Sequence, residues 1–217
     1  DVSKVHGGAV VGGDIVKSPV FFVTVAMEGA APSSDATILR RDTAKPGDLI
    51  AVTGHLGCSS GGLRMLMSGA DVQGEAARSH LREAHNRPVP QVKTGILLAE
   101  HGVLTAMDVS DGLVNDLAKI CRASNVGARL NADSIPADAI LKASFPDDWL
   151  DLALGGGEDY ELLFTASASV MNDLQSIVDV PITVVGEVTD GDNSVAIIGS
   201  NGKPMAVGHG GWNHFES

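Results

Sequence analysis

Aromatic side chains are scarce in this sequence. They make up 4% of 217 residues, as two Trp, one Tyr and five Phe. Any core must be built from Val, Ile, Leu, Ala and Met, and the 44% hydrophobic content is enough for one. Cysteine is nearly absent as well, with Cys58 and Cys121 the whole complement. Their spacing fits neither a metal site nor a disulfide framework, so the expectation is two buried free thiols and a reducing, cytoplasmic compartment. Seven His are scattered without zinc spacing, and no zinc site is expected from them. Positive charge is in deficit: 15 Lys and Arg face 27 Asp and Glu, a formal net charge of −12. That balance argues against non-specific nucleic-acid binding and against an anionic membrane surface. A phosphate ligand would need metal ions, a few placed cations or backbone N–H groups to receive it. No run reaches the roughly 18 apolar residues of a membrane span, and no secretory signal pattern is visible.

What the sequence does hold is glycine, 26 in all, between short apolar runs. This reads as an α/β (α+β type) protein with a mixed sheet and helices. The apolar run Ala9-Val10-Val11 has no partner segment before it, and an upstream portion is expected to be missing from this chain. Residues 20–27 are β-rich and read as a strand. Lys45-Pro46-Gly47-Asp48 is a turn, since Pro presets φ and Gly accepts positive φ; the main domain boundary is placed near it. Strands are expected at 49–53, 104–109, 160–165, 182–188 and 195–198, the last in a hairpin through Asn201-Gly202. Helices are expected at 63–67 and 75–83. A third joins Val92, Ile96 and Ala99 on one face, with Gly102 as its stop. A fourth starts at Ser110 or Asp111 and buries Leu113, Leu117, Ile120 and Cys121. A fifth is marked by Val170, Leu174, Ile177 and Val178.

The strongest chemical signal is Met107-Asp108-Val109-Ser110-Asp111-Gly112-Leu113, where a strand ends and a helix begins. Asp108 and Asp111, three residues apart on a turn, can converge on one hard cation such as magnesium, which takes oxygen ligands. The free N–H groups of the new helix favour an anion, and Ser110 can donate to a phosphate. Read alone, the motif is equally a helix cap in which both Asp serve the dipole. Gly12-Gly13-Asp14 allows close backbone approach plus one more carboxylate, or is an ordinary turn. Gly155-Gly156-Gly157-Glu158-Asp159-Tyr160 sets an acidic pair on a sharp turn, facing a pocket or solvent. Residues 54–62 follow a strand and open a helix, either to cradle phosphate or to pack tightly, and no P-loop Gly-Lys-Ser/Thr follows them. Arg41 suits phosphate recognition or is a surface cation. Trp212, in Gly210-Gly211-Trp212-Asn213-His214-Phe215, docks on the core or stacks on a flat ligand ring.

As an ordered set these motifs are far more specific. Gly-Gly-Asp, Lys-Pro-Gly-Asp, Val-Thr-Gly with Leu-Gly, Met-Asp-Val-Ser-Asp-Gly-Leu, Gly-Gly-Glu-Asp-Tyr-Glu-Leu and the terminal Gly-Trp-Asn-His-Phe resemble the thiamine-monophosphate kinases in sequence and order, from about Val11 to Phe215. The resemblance implies the aminoimidazole ribonucleotide synthetase-like fold. Residues 1–44 would be a remnant of its N-terminal ATP- and metal-binding dimerisation domain, and 45–217 its C-terminal α/β domain. It implies ATP- and Mg2+-dependent phosphorylation of thiamine monophosphate to thiamine diphosphate, with a homodimer for the intact protein. Carried over by motif, Asp14, Asp108 and Asp111 are magnesium ligands, Gly13, Asp14, Arg41 and Ser110 contact ATP, and Glu158 and Trp212 contact the thiamine part. No catalytic base is assigned. Ile15 stands where the family usually has Thr, Lys17 where Arg is common, and Gln91 where Arg is usual. The competing readings are a sister ATP-dependent synthetase of the same superfamily and a non-catalytic nucleotide- or metal-binding fragment.

Overall fold

The computed structural model describes residues 2–31 and 33–205 and divides the chain into two units, Asp1–Ala36 and Thr37–Ser217. The first unit holds one short helix, α1 (Val2–Val5), and no other regular element among its described residues. The strand expected at 20–27 does not form there. A strand needs a neighbour for its N–H and C=O groups, and the described part of this unit supplies none, so Phe21 and Val23 lie exposed.

The second unit is built on a mixed sheet of seven strands. These are β1 (Leu49–Thr53), β2 (Thr105–Asp108), β3 (Gly127–Asn131), β4 (Leu162–Ala166), β5 (Ile182–Thr189), β6 (Val195–Ile198) and β7 (Pro204–Met205). Their order is β2-β4-β1-β5-β3-β6-β7. Each pairing is antiparallel except β3 with β6. The alternation of side chains along a strand splits the core in two. Ile50, Val52 and Leu163 point into the larger cluster, while Ala51, Phe164 and Ala166 point into the smaller.

Helices cover both faces. On the larger side lie α2 (Cys58–Ser68), α3 (Glu75–Asn86), α5 (Leu113–Ser124), α6 (Ala139–Ser144) and α7 (Trp149–Gly155), contributing among others Met65, Leu81, Leu117, Leu141 and Leu154. On the smaller side lie α4 (Val92–Glu100) and α8 (Ala168–Leu174), with Leu98, Met171 and Leu174. The expected stripe of Leu113, Leu117, Ile120 and Cys121 is buried on α5. Both cysteines are free and buried. Among the described residues no helix is long and apolar enough to cross a membrane.

Two local readings change. The glycine-rich stretch 54–62 is not all loop, because α2 already begins at Cys58. A Cβ on Gly62 would lie 2.1 Å from the carbonyl oxygen of Leu81. That glycine therefore serves the close approach of α2 to α3. The helix expected to run as far as Val178 stops at Leu174. The region 122–154, unassigned from sequence, holds β3, α6 and α7.

Candidate active site

Strand β2 lies at one edge of the sheet and ends at Asp108, which faces Leu162 of β4. Beyond this point the two segments stay zipped by backbone hydrogen bonds. The N–H of Val109 donates to the Glu161 carbonyl at 2.8 Å, that of Tyr160 to Val109 at 3.0 Å, and that of Glu158 to Ser110 at 2.9 Å. The ladder thereby brings the loop of residues 155–161 against the turn of residues 109–112. The fit depends on two glycines. A Cβ on Gly112 would stand 2.7 Å from the Gly155 carbonyl oxygen, and one on Gly157 would stand 2.3 Å from that of Ser110. Asp108, Ser110, Asp111 and Glu158 thus share one corner of this unit, although Asp111 and Glu158 are 47 positions apart in sequence.

The turn before α5 is capped in an unexpected way. The N-cap position is Gly112, without a side-chain cap. Asp116, fully buried one turn into the helix, reaches back instead. Its Oδ2 accepts the N–H groups of Ser110 and Asp111, both at 2.9 Å. Its Oδ1 accepts Lys119 Nζ at 2.6 Å, and the same ammonium donates to Asp111. Burial works against the Lys119 charge, but the hydrogen bonds to Asp111 and Asp116 outweigh it and hold the ammonium above its ordinary range. A cation already sits on the Asp111 carboxylate, and the Asp108 carboxylate next to it is exposed. A divalent cation at these carboxylates would have to compete with the Lys119 ammonium for Asp111.

In the facing loop, Glu158 and Tyr160 both have positive φ, 65° and 53°, a left-handed backbone that non-glycine residues seldom adopt. The Glu158 side chain is 56% exposed, and its Oε2 lies 4.0 Å from His85 Nδ1, which also meets Ser59 Oγ at 3.0 Å. The Tyr160 hydroxyl is held above its usual range by burial, then by the negative charges of Glu158, Asp108 and Asp111. Asp159 turns the opposite way and accepts the N–H groups of Gly57 at 2.7 Å and Ser59 at 3.1 Å, fixing the start of α2. Burial pushes its carboxyl up to about 7 against those two donors, and the nearby Glu161 adds to the rise. Glu161 is itself shifted upward by burial, while its bonds to Thr53 at 2.5 Å and Gln91 at 3.4 Å oppose the shift.

A cleft of about 480 Å³ opens beside this corner. Asp108 and Tyr160 form one side, and Pro88, Pro90, Val92 and Leu162 give it a mostly apolar floor. Sequence reasoning missed Asp116, Lys119 and Tyr160. The Asp116–Lys119 pair at i, i+3 was the one local signal available.

Of the remaining expected residues, only Arg41 is a described residue of this unit. Arg41 is exposed, and its carbonyl accepts Ser124 Oγ at 2.9 Å. Ser124 ends α5 about 18 Å from the Asp111 end of that helix. Gly13 and Asp14 belong to the first unit and are exposed there. Trp212 falls outside the described residues.

Comparison with known proteins places this geometry. The profile of a family described as AIR synthase related protein, C-terminal domain, matches residues 45–199. The thiamine-monophosphate kinase of Escherichia coli (strain K12) is 34% identical over 219 aligned positions, covering 99% of this chain and 66% of that kinase. The thiamine-monophosphate kinase structure from Stenotrophomonas maltophilia K279a is 39% identical with a TM-score of 0.68, over 77% of this chain and 54% of that one. AaThiL, complexed with AMPPCP and TMP, is 30% identical with a TM-score of 0.70, over 82% of this chain and 55% of that one. The chain belongs to the AIR synthase related family, on its thiamine-monophosphate kinase branch. It spans about two thirds of the length of such curated relatives, 63% and 66% of two of them.

Proposed function

We propose that this chain carries the C-terminal part of an enzyme that moves the γ-phosphoryl group of ATP onto the phosphate of thiamine monophosphate. One observation supports this best: the zipped corner that brings together Asp108, Ser110, Asp111 and Glu158, with Asp108 also lining a largely apolar cleft. The relatives named as thiamine-monophosphate kinases, and the neighbour complexed with AMPPCP and TMP, favour the same reading.

The acceptor phosphate is already largely ionised at neutral pH, since its second pKa is about 6. The reaction therefore asks for placement and charge neutralisation rather than a strong base. Asp108 and Asp111 would hold Mg2+, and the resemblance adds Asp14. The ion would neutralise phosphate charge and align the two phosphates. Ser110 would donate its hydroxyl to a phosphate oxygen. Glu158 would face the cationic heterocycle of the thiamine part, with Trp212 stacking on its ring. The resemblance adds Gly13 and Arg41 as ATP contacts, and Arg41 would have to serve from beside the Ser124 end of α5. Tyr160, on the wall of the cleft, would exclude water from the acceptor side. The cytoplasm and a homodimer of the whole protein belong to the same proposal.

The test is thiamine-diphosphate formation from thiamine monophosphate, ATP and magnesium. It is run on the 217-residue chain and on a form carrying any upstream sequence its gene encodes. Product from the longer form, lost in Asp108→Ala with the fold unchanged, is the expected result. Near-normal turnover by Asp108→Ala would remove Asp108 from the site. ATP binding without any thiamine diphosphate from either form would favour the non-catalytic reading.

A further inference from the structure

Away from that corner, three side chains of different chemistry converge where α2, α3 and α6 meet. Cys58 is the first residue of α2 and is buried. His80 lies on α3, with 42% of its side chain exposed. Asp138 is the N-cap of α6 and is 25% exposed. Cys58 Sγ lies 3.9 Å from His80 Nε2, and that nitrogen lies 3.8 Å from Asp138 Oδ2. All three atoms fall within 4.8 Å of one another.

We propose that Cys58, His80 and Asp138 form a binding site for one divalent transition-metal ion of the zinc class. This assignment goes beyond the kinase reading and does not depend on it. A tetrahedral ion with Zn–S near 2.3 Å and Zn–N near 2.0 Å sets sulfur and nitrogen about 3.5 Å apart, so Cys58 and His80 need close by only about 0.4 Å. Thiolate, imidazole and carboxylate together select zinc, cobalt or nickel over magnesium, which wants oxygen alone.

The supporting contacts are already made. Asp138 Oδ1 is occupied by the Ile140 N–H at 2.6 Å, which fixes the carboxylate with Oδ2 toward His80. Helices α2 and α3 pack directly through Gly62 and Leu81, so the ligand backbones do not have to be ordered on binding. The partial exposure of His80 leaves an entry path and a fourth position for water. Burial, then the charges of Asp138 and Asp159, push the Cys58 thiol up to about 12. The same negative surroundings attract a divalent cation, which displaces the thiol proton to solvent on forming the metal–sulfur bond. Sequence spacing cannot display this site, because its ligands stand at positions 58, 80 and 138.

The test uses Co2+ as an optical probe on the purified full chain. One equivalent should bind with a thiolate-to-cobalt charge-transfer band and tetrahedral visible bands, with release of about one proton. Cys58→Ser should abolish the charge-transfer band, and His80→Ala, at a half-exposed position, should weaken binding by at least about tenfold. Cys121→Ser and excess Mg2+ should leave the spectrum unchanged, and Zn2+ should displace the cobalt and raise the Tm of the unsubstituted chain. The proposal is overturned if no thiolate–cobalt band forms, if the band survives Cys58→Ser, or if His80→Ala binds as tightly as the parent.

Discussion

The carboxylate of Asp116 accepts the backbone N–H of Asp111 at 2.9 Å, so a side chain inside the helix holds the residue that precedes it. The same oxygen takes the N–H of Ser110, and the other oxygen takes Lys119. Asp116→Ala would leave the Ser110 and Asp111 N–H groups without this acceptor and the Lys119 ammonium with Asp111 alone. A loss of about 3 kcal/mol is expected in urea denaturation. A loss below about 1 kcal/mol would mean that water or another group replaces the carboxylate.

Lys119 bears on metal affinity with the opposite sign. Its ammonium competes for Asp111, so Lys119→Met should tighten Mn2+ or Mg2+ binding at this corner severalfold, on the order of 1 kcal/mol at a partly exposed pair. Titration calorimetry with and without ATP reads this directly. Weaker binding would show instead that Lys119 acts as a phosphate contact.

Gly112 combines φ 113° with a neighbour 2.7 Å from where its Cβ would be. Gly112→Ala must move the 155–161 loop off the turn. It should lower stability by about 1–3 kcal/mol, and Gly186→Ala, which would crowd the Arg129 carbonyl in the β5–β3 pairing away from the β2–β4 edge, serves as the comparison. The distinguishing reading is the proposed thiamine-diphosphate formation, measured on the longer form at equal folded fraction, which only Gly112→Ala should reduce.

Asp159 gives a pH signature. Its carboxyl titrates near 7 when folded, above the ordinary carboxyl range. Between about pH 4 and 7 the native state therefore holds more protons than the unfolded chain, and stability falls as pH rises. Urea midpoints measured across that window should decline toward neutral pH. The decline should flatten in Asp159→Asn. An unchanged slope in that variant would assign the titration to another group, with Glu161 the nearest candidate.

The Asp108–Leu113 turn was legible because its information is local: a strand end, a helix start and two carboxylates within four positions. Its apposition to Glu158 was not, since it depends on β2 and β4 being neighbours, and pattern alone does not pair strands. The same limit explains residues 20–27, whose composition is that of a strand but whose partner is absent among the described residues of that unit. Residues 54–62 were ambiguous because glycine serves phosphate loops and tight helix contacts alike. The distance from Gly62 to Leu81 settles that position for packing. Asp116 escaped because a buried Asp and a solvated one look identical in sequence.

Under the proposed reaction, the left-handed backbone at Glu158 and Tyr160 sets folding against function at those two positions. Folding alone would favour Gly or Asn at both, since these adopt positive φ at least cost. A library randomised at 158 and 160 and selected only for thermal stability should therefore drift away from Glu and Tyr. Under selection for the reaction itself the original pair should return, so the difference between the two outcomes measures what each side chain contributes apart from holding its loop in place.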